Sequence, residues 1–464
     1  MNLWISWWET VRLLRPAFSR QRTFLWFALV LAAFSVRPDL LGVTSFVRAL
    51  CLREFFYERL LQFFHSKAVK IDRLAQLWFR LVLRHFPIYL INGRPVLIFD
   101  GFKNPKEGKK MPAVKFLHQQ SESNSKPHFI MGHSFQAFGV LCRVGTYYFS
   151  VPVCARIHEG VVRSNRDKRT LIDKANEMLS EICQDQEFVL LADAYYANGK
   201  VIRSLKARSS HLITRVRCTT IGYMPARTPR KPKRGRPKKY GKPVKLQKLF
   251  GTAGFLSMIS PVYNDRNVTI RYKVLDLLWR PVGEMVRFVL VDHPVRGRMI
   301  LLSTDLDQEP REIILQYSLR YKIEVSFKQA VYSIGAFGYH FWMADMHPIK
   351  RRDGNQHLHR ESEPYRRKVL RKIHAYHVFV QVGMIAQGML QYLAMTKEAL
   401  VWKHFGTWIR TTRPDVLPSE MIVSEALKNT LSKFLLRGRI AKDWRKFVLD
   451  KVDFERPDSS RFVA

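Results

Sequence analysis

A short stretch over residues 317–328 carries side chains that could act together on a phosphate or a metal ion. A helix, at about 100° per residue, places Tyr317, Arg320, Glu324 and Lys328 on one narrow face. A carboxylate can hold a divalent cation, and Arg and Lys can bind phosphate. The same residues also suit a surface helix with an Arg320–Glu324 ion pair one turn apart. This segment alone leaves both interpretations open.

The flanking residues predict one continuous helix over 310–335. Pro310 suits the first helical turn, and Gly335 lies just past the expected end. No residue between them is a helix breaker. The apolar side chains that would pack this helix against a core are Ile313, Ile314, Leu319, Ile323 and Phe327.

Two further carboxylates each follow a short apolar run that predicts a buried strand. Asp100 follows residues 96–99, and Asp193 follows residues 187–192. We expect each acid to end its strand, at the sheet edge where functional sites gather. If Asp100, Asp193 and Glu324 met, they would repel one another unless cations neutralised them.

An acid-only site of this kind suits hard divalent ions, either Mg²⁺ or Mn²⁺. Two such ions about 4 Å apart can activate water or a 3′ hydroxyl and stabilise the leaving oxygen in phosphodiester chemistry. The sequence therefore predicts two Mg²⁺ ions, for which Mn²⁺ can substitute, held by Asp100, Asp193 and Glu324.

The elements that must position these acids alternate in the order β-β-β-α-β-α-β. The predicted strands cover 96–99, 128–144, 146–157, 187–192 and 211–216, and the predicted helices cover 167–185 and 201–207. This order predicts an α/β fold in which the strands before the acids lie side by side. The helix with Glu324 would then pack across their ends.

A basic stretch over residues 227–248 interrupts this pattern and contains no acid. Within it, Arg234, Gly235, Arg236 and Pro237, followed by Lys238, resemble an AT-hook-like arm whose Arg side chains enter a narrow minor groove. The alternative is a solvated charged linker. Predicted strands at 256–262, 267–278, 287–292 and 299–303 follow it and would form a small β insertion. Trp279 could either stack on an unpaired base or pack in the core.

Helical patterns flank this centre on both sides. Predicted helices cover 22–36, 44–65 and 68–86 before it, and 369–392, 398–410 and 419–436 after it. The apolar run at 23–36 is shorter than the roughly 20 residues of a membrane span, so we expect a buried helix. Histidines between 340 and 359 allow a zinc site, but their spacing fits a solvated basic loop better.

Together these patterns divide the chain into five parts. Residues 1–90 are helical and predicted to bind DNA, 91–217 form the first part of the core, and 218–305 form the basic arm and β-rich insertion. Residues 306–335 supply the Glu324 helix that completes the core, and 336–464 form a basic loop and a C-terminal helical region.

Charge and cysteine content narrow the class of partner and the compartment. Among the 464 residues, 78 are Lys or Arg and 38 are Asp or Glu, which gives a formal net charge of +40. This excess is spread along the chain and favours a long polyanion, nucleic acid before an anionic membrane surface. The five cysteines form no CxxC pair, which argues against a zinc finger or a disulfide framework and favours a reducing, intracellular compartment.

At this point the chain resembles the DDE transposases of bacterial insertion sequences, whose catalytic domain has an RNase H-like fold. Tyr317, Arg320 and Glu324 match the Tyr-x2-Arg-x3-Glu-x6-Lys signature of one branch in type and spacing. Asp193, within the run Ala-Asp-Ala-Tyr-Tyr, resembles the second-Asp motif, and Asp100, within Phe-Asp-Gly, resembles the first. The resemblance covers roughly residues 94–335. One position departs from it: the signature expects Lys at 331, where this chain has Val331, and Lys328 lies one turn beyond Glu324 on nearly the same face.

The resemblance implies an RNase H-like mixed sheet with a β-rich insertion, flanked by N-terminal and C-terminal helical regions. It implies a transposase that cuts the ends of its element and joins them to target DNA, with double-stranded DNA as partner and a homodimer in the DNA complex. The expected location is the bacterial cytoplasm, on the nucleoid, with no membrane and no small-molecule cofactor. Tyr317, Arg320 and Lys328 would position DNA phosphate, and the residues from Arg234 to Lys238 would track DNA.

Two other functions remain open from the sequence. One is an RNase H-like nuclease that cuts without joining ends. The other is a DNA-binding protein derived from a transposase and lacking catalysis, against which the three intact acids argue.

Overall fold

The fold is built on a large mixed β-sheet in a computed structural model that describes residues 3–119, 127–227, 235–407 and 411–462. The strands are β1 (Leu90–Ile91), β2 (Arg94–Pro105), β3 (Lys115–His118), β4 (Phe129–Val144), β5 (Tyr147–Ile157), β6 (Val161–Val162), β7 (Val189–Ala192), β8 (His211–Val216), β9 (Ile221–Pro225), β10 (Tyr240–Lys245), β11 (Leu256–Ile259), β12 (Thr269–Trp279), β13 (Glu284–His293), β14 (Gly297–Ser303) and β15 (Gln356–His357).

Helices before, within and after the sheet supply the other layers. They are α1 (Leu3–Arg12), α2 (Gln21–Val36), α3 (Thr44–Ala49), α4 (Phe56–Phe64), α5 (Ile71–His85), α6 (Leu171–Cys183), α7 (Gly199–Lys206), α8 (Pro310–Leu319), α9 (Lys322–Gln329), α10 (Glu363–Thr396), α11 (Glu398–Phe405), α12 (Glu420–Arg437) and α13 (Lys442–Leu449). Local sequence explains their starts: Thr170 and Asp173 form a capping box at α6, and the Ser362 hydroxyl accepts from the Tyr365 N–H at α10.

The main sheet has the order β10-β9-β12-β13-β14-β8-β7-β2-β4-β3, with β5 also paired to β4. β7 is parallel to both β2 and β8, whereas β2, β4 and β5 are antiparallel neighbours. The parallel strands are connected through α6 and α7, as parallel pairs require a crossover. The path β5-β4-β2-β7-β8 is RNase H-like, and the predicted mixed α/β fold with helical regions at both ends is confirmed.

The β-rich insertion continues this sheet. β14 pairs with β8 in antiparallel register, with Ile300 opposite Val216 and Ser303 opposite Ile213. β12, β13 and β14 then form an antiparallel meander, and the β9–β10 hairpin joins β12 at its outer edge. The part of the basic stretch that forms β10 therefore lies at the outer edge of the sheet path that begins beside Asp193.

Two predicted element boundaries are wrong for tertiary reasons. β2 does not end at Asp100 but runs on to Pro105, because β4 continues to pair with it as far as Gly132. The helix predicted over 44–65 is two helices, α3 and α4. Cys51 adopts a left-handed conformation between them, with a φ of 49°, and Leu52 forms a bridge with Val452.

The N-terminal and C-terminal helices pack together in one layer against the sheet. α10 lies against β5 and also contacts α2 and α12. It is long and apolar enough to cross a membrane, but 94% of its apolar stretch is buried inside the protein. α2 is likewise buried over most of its length, as predicted for the apolar run at 23–36. The domain boundaries drawn from the sequence stay a prediction.

Buried cations hold the chain just after α9. A π-helical turn, Ala330–Ile334, follows α9 and ends at Gly335, whose φ is 66°. The Arg37 guanidinium donates to the Ile334 carbonyl, and the Lys106 ammonium donates to the carbonyls of Phe337 and Tyr339, at 2.7 and 2.9 Å. Burial lowers the pKa of Arg37 to about 9 and that of Lys106 to about 7. These bonds fix the end of the segment that carries Glu324.

Gly335→Ala tests how tightly this end is held. The left-handed backbone disfavours any Cβ, and a Cβ here would meet the Arg37 guanidinium. We expect a loss of about 2–3 kcal/mol in the free energy of unfolding, measured by urea denaturation. Gly145→Ala is the matched control, because Gly145 has a φ of 55° with open space around it. It should cost about 1 kcal/mol. Equal losses of stability in the two variants would contradict the conclusion that Arg37 holds the chain tightly at Gly335.

Candidate active site

The first two acids lie at the junction of two parallel strands. Phe99 of β2 is the register partner of Ala192, the last residue of β7, so Asp100 and Asp193 follow at matching positions. β7 stops there while β2 continues, which leaves Asp100 without a neighbour on that side. Asp100 is therefore still at an open edge of the sheet, although β2 continues past it, because β7 ends one position earlier.

Local hydrogen bonds fix both acids. One oxygen of Asp100, Oδ1, accepts from the Gly101 N–H at 2.7 Å, and Asp193 Oδ1 accepts from the Tyr195 N–H at 3.0 Å. The Thr214 hydroxyl on β8 donates to the Asp193 carbonyl at 2.8 Å. Each carboxylate is therefore held to its own strand end and has little freedom to turn away.

The helix with Glu324 is broken where the sequence predicts it to be continuous. α8 ends at Leu319 and α9 begins at Lys322, with the N–H groups of Arg320 and Glu324 bonded three residues back, to Tyr317 and Tyr321. The insertion supports this break from outside: the Tyr263 N–H donates to the Ser318 hydroxyl at 3.1 Å. The single helix predicted over 310–335 is therefore wrong in its middle, although Pro310 and Gly335 mark its ends as expected.

Arg320 lies at the centre of the three acids. Its Nη1 contacts Asp100 Oδ2 at 2.9 Å, and its Nη2 contacts Glu324 Oε1 at 2.6 Å. The i,i+4 pair of the surface-helix interpretation is thus present, but Arg320 is only 19% exposed and also bridges to β2. A guanidinium that bridges two carboxylates makes one charge-assisted hydrogen bond to each of them, and such bonds are short and directional.

The three acids influence one another electrostatically. Burial raises the pKa of Asp100 to about 6, with Arg320 opposing the rise and Asp193 and Glu324 adding to it. Burial also raises the pKa of Asp193. Burial works against the charge on Arg320, but Asp100 and Glu324 outweigh it and raise the Arg320 pKa. The guanidinium is therefore the counter-ion of this acid cluster, which comprises Asp100, Asp193 and Glu324.

The other two predicted phosphate-binding residues, Tyr317 and Lys328, differ in solvent exposure. Tyr317 is half-buried beside Arg320, and burial raises its pKa. Lys328 is exposed one turn beyond Glu324 and has no hydrogen-bond or ion-pair partner within the described residues. Sequence reasoning missed Arg215, an exposed cation on β8 close enough to influence Tyr317. The single Arg within the mostly apolar run of β8 was the signal that could have found it.

Within the described residues, no hydrogen bond or ion pair joins the basic arm to the acid cluster. Gly235, Arg236, Pro237 and Lys238 are exposed just before β10, and Arg234 lies outside the described residues. Trp279 is only 7% exposed, as its core-packing interpretation predicts. Among the residues that the structure describes, no group of histidines, cysteines or acids is arranged as a metal site, so the zinc alternative finds no support.

The acid cluster fits a divalent ion by chemistry but not by its present arrangement. Three carboxylates without a soft ligand suit a hard cation. However, Arg320 takes Asp100 Oδ2 and Glu324 Oε1, and within the described ranges the acids do not converge on one point as ligands would. The Arg320 contacts therefore oppose tight ion binding in the arrangement that the structure shows.

An RNase H-like sheet with acids at two adjacent strand ends is typical of nucleases and transposases. The chain belongs to the DDE superfamily endonucleases: the sequence model of that family matches residues 14–270, more than half of the chain. The match includes Asp100 and Asp193 and ends before Glu324. Membership shows a nuclease- or transposase-type function on DNA, and such endonucleases generally depend on divalent metal ions. No curated protein matches this chain.

The raised pKa of Asp100 makes a prediction about stability in metal-free buffer. The folded-state pKa of about 6 lies above the usual value near 3.8, so the folded protein binds this proton more tightly. This tighter proton binding adds up to about 3 kcal/mol to the free energy of unfolding. The gain is full below about pH 4 and is lost as the pH rises through 6. Asp100→Asn should flatten this fall in urea unfolding with EDTA between pH 4 and 7. An unchanged slope would contradict the assignment.

Proposed function

We propose that this protein is a DNA transposase of a bacterial insertion sequence that cuts the ends of its element and joins them to target DNA. The observation that carries the proposal is the Arg320 bridge between Asp100 and Glu324, close enough to Asp193 for the charges to influence one another. Family membership gives the nuclease or transposase class, and the Tyr-x2-Arg-x3-Glu spacing supports the narrower assignment.

In this proposal Asp100, Asp193 and Glu324 hold two Mg²⁺ ions, for which Mn²⁺ can substitute. The ions supply activation of the attacking oxygen and stabilisation of the leaving oxygen. The chain itself fixes the geometry: Asp100 lies within β2, Asp193 follows the end of the adjacent strand β7, and Glu324 lies on α9. No small-molecule cofactor takes part.

Cations around the acid cluster bind the DNA backbone. Tyr317, Arg320 and Lys328 position the phosphate to be cut, and Arg215 extends this cationic surface onto β8. The N-terminal helices recognise the element ends, and the arm from Arg234 to Lys238 tracks the duplex. A net charge of +40 supports a double-stranded DNA partner through many phosphate contacts.

The assembly and location follow from the same proposal. Two element ends must be joined together, which favours a homodimer in the DNA complex. The reaction takes place on DNA in the bacterial cytoplasm, on the nucleoid, away from any membrane. Four of the five cysteines are buried, and none of the five, all within the described residues, forms a disulfide, which suits a reducing compartment.

Asp193→Asn separates catalysis from DNA binding. The change keeps the side-chain size and an acceptor for the Tyr195 N–H but removes a charge needed to hold a divalent ion. We expect cleavage of labelled DNA that carries the gene's flanking ends to fall by about a thousandfold or more, with DNA affinity retained. Asp185→Asn, at an exposed acid before β7, is the control and should cleave normally. Retained cleavage in the Asp193 variant would remove the assignment.

The alternative of a nuclease that does not join ends is tested by strand transfer. Pre-cut ends with 3′ hydroxyl groups are mixed with a target plasmid and Mg²⁺. A transposase joins the ends to the plasmid, whereas a nuclease only nicks it. Joined products support transposition, and nicking without joining supports the nuclease.

A further inference from the structure

Arg320 is the only cation whose hydrogen bonds, among those of the described residues, tie two members of the acid cluster together. Arg320 donates to Asp100 on β2, which is 220 residues away in sequence. It also donates to Glu324 on α9, which is four residues away. Asp100 Oδ1 accepts from the Gly101 N–H, and Oδ2 accepts from Arg320, so both oxygens of that carboxylate already have a donor. Arg320 thus uses part of the lone-pair capacity that a ligated cation would need.

Arg320 and a divalent ion therefore compete for the same oxygens. An ion bound to Asp100 Oδ2 and Glu324 Oε1 would also stand beside a fixed positive charge that is largely shielded from water. Repulsion between two such charges is only weakly screened in a half-buried site. Tight ion binding and the present Arg320 contacts therefore oppose each other.

We propose that Arg320 is an exchangeable internal cation that keeps the acid cluster assembled without metal and must transfer to a DNA phosphate before metal binds tightly. The inference rests on the proposed function, since it concerns the same three acids. Its consequence is an order of assembly: DNA first, divalent ions second. A transposase free of DNA would then be held inactive by its own side chain.

The surroundings of Arg320 favour this exchange. Arg320 lies at the turn between α8 and α9, and its side chain is 19% exposed, so it can reach a ligand by a change of rotamer. Glu324 is 56% exposed, so this end of the bridge borders solvent, where a phosphate can approach. Lys328 and Arg215 lie exposed nearby and offer a first electrostatic attraction for that phosphate. A guanidinium binds a phosphate as well as a carboxylate through paired N–H donors.

The coupling must work in both directions. If DNA draws Arg320 away and so raises metal affinity, bound metal raises DNA affinity by the same factor. Removing the guanidinium should abolish this coupling and leave tight metal binding that no longer needs DNA.

The test is a titration of the full-length protein with Mn²⁺, followed by calorimetry and by the rise in melting temperature. Without DNA, Arg320→Gln should bind Mn²⁺ about tenfold or more tightly than the wild type. Arg320→Lys keeps the charge but loses the paired donors, so its Mn²⁺ affinity should lie between those of the wild type and Arg320→Gln. It replaces the Gln variant in the test if that variant does not fold. Arg94→Gln is the matched control, because Arg94 forms an ion pair with Glu187 at the other end of β2.

A second arm adds a short duplex DNA of mixed sequence to the same titration. Wild-type affinity for Mn²⁺ should rise toward that of Arg320→Gln, and the variant should hardly change. Equal Mn²⁺ affinity of wild type and variant without DNA, or weaker binding by the variant, would overturn the exchange while leaving DNA cleavage intact. Absence of Mn²⁺ binding by every protein, with or without DNA, would instead remove the metal assignment in the proposed function and this inference with it.

Discussion

The repulsion among three carboxylates is the constraint on which this structure depends. The register of β2 and β7 places Asp100, within β2, beside Asp193, just past the end of β7, and α9 carries Glu324. Such a cluster cannot stay charged and half-buried without a cation. Arg320 supplies that cation from within the chain, at 2.9 and 2.6 Å from two of the three acids. The break between α8 and α9 lies where this contact is made.

The rest of the molecule holds the two sides of the cluster in place. On one side, β4 and β5 support β2, and α10 covers β5. On the other, the insertion extends the sheet from β8 and contacts the helix break through Tyr263. Arg37 from the N-terminal helices and Lys106 from just past β2 bind the carbonyls that follow α9. Elements distant in sequence therefore meet at the segment that carries Glu324.

The sequence predicted those features that depend on local pattern. The apolar runs gave β8 with its exact bounds and α2 to within one residue at its start, and the acids after two of these runs were found. Features set by distant contacts could not be found in this way. β2 extends past Asp100 because β4 pairs with it, and the helix break accompanies a contact 220 residues away. The short strands β3, β9 and β10 likewise depend on their partners. The roles of the site residues stay predictions.

Glu324 is the acid whose role most needs measurement, since the family match ends before it. The most direct experiment is cleavage of labelled DNA with the gene's own flanking ends, in Mg²⁺ and in EDTA, with Glu324→Gln beside Glu312→Gln from α8. The account predicts Mg²⁺-dependent cuts at the ends by the wild type and the Glu312 variant, and none by the Glu324 variant. Cuts by Glu324→Gln at the wild-type rate, or DNA binding by the wild type without cleavage in any divalent ion, would contradict it.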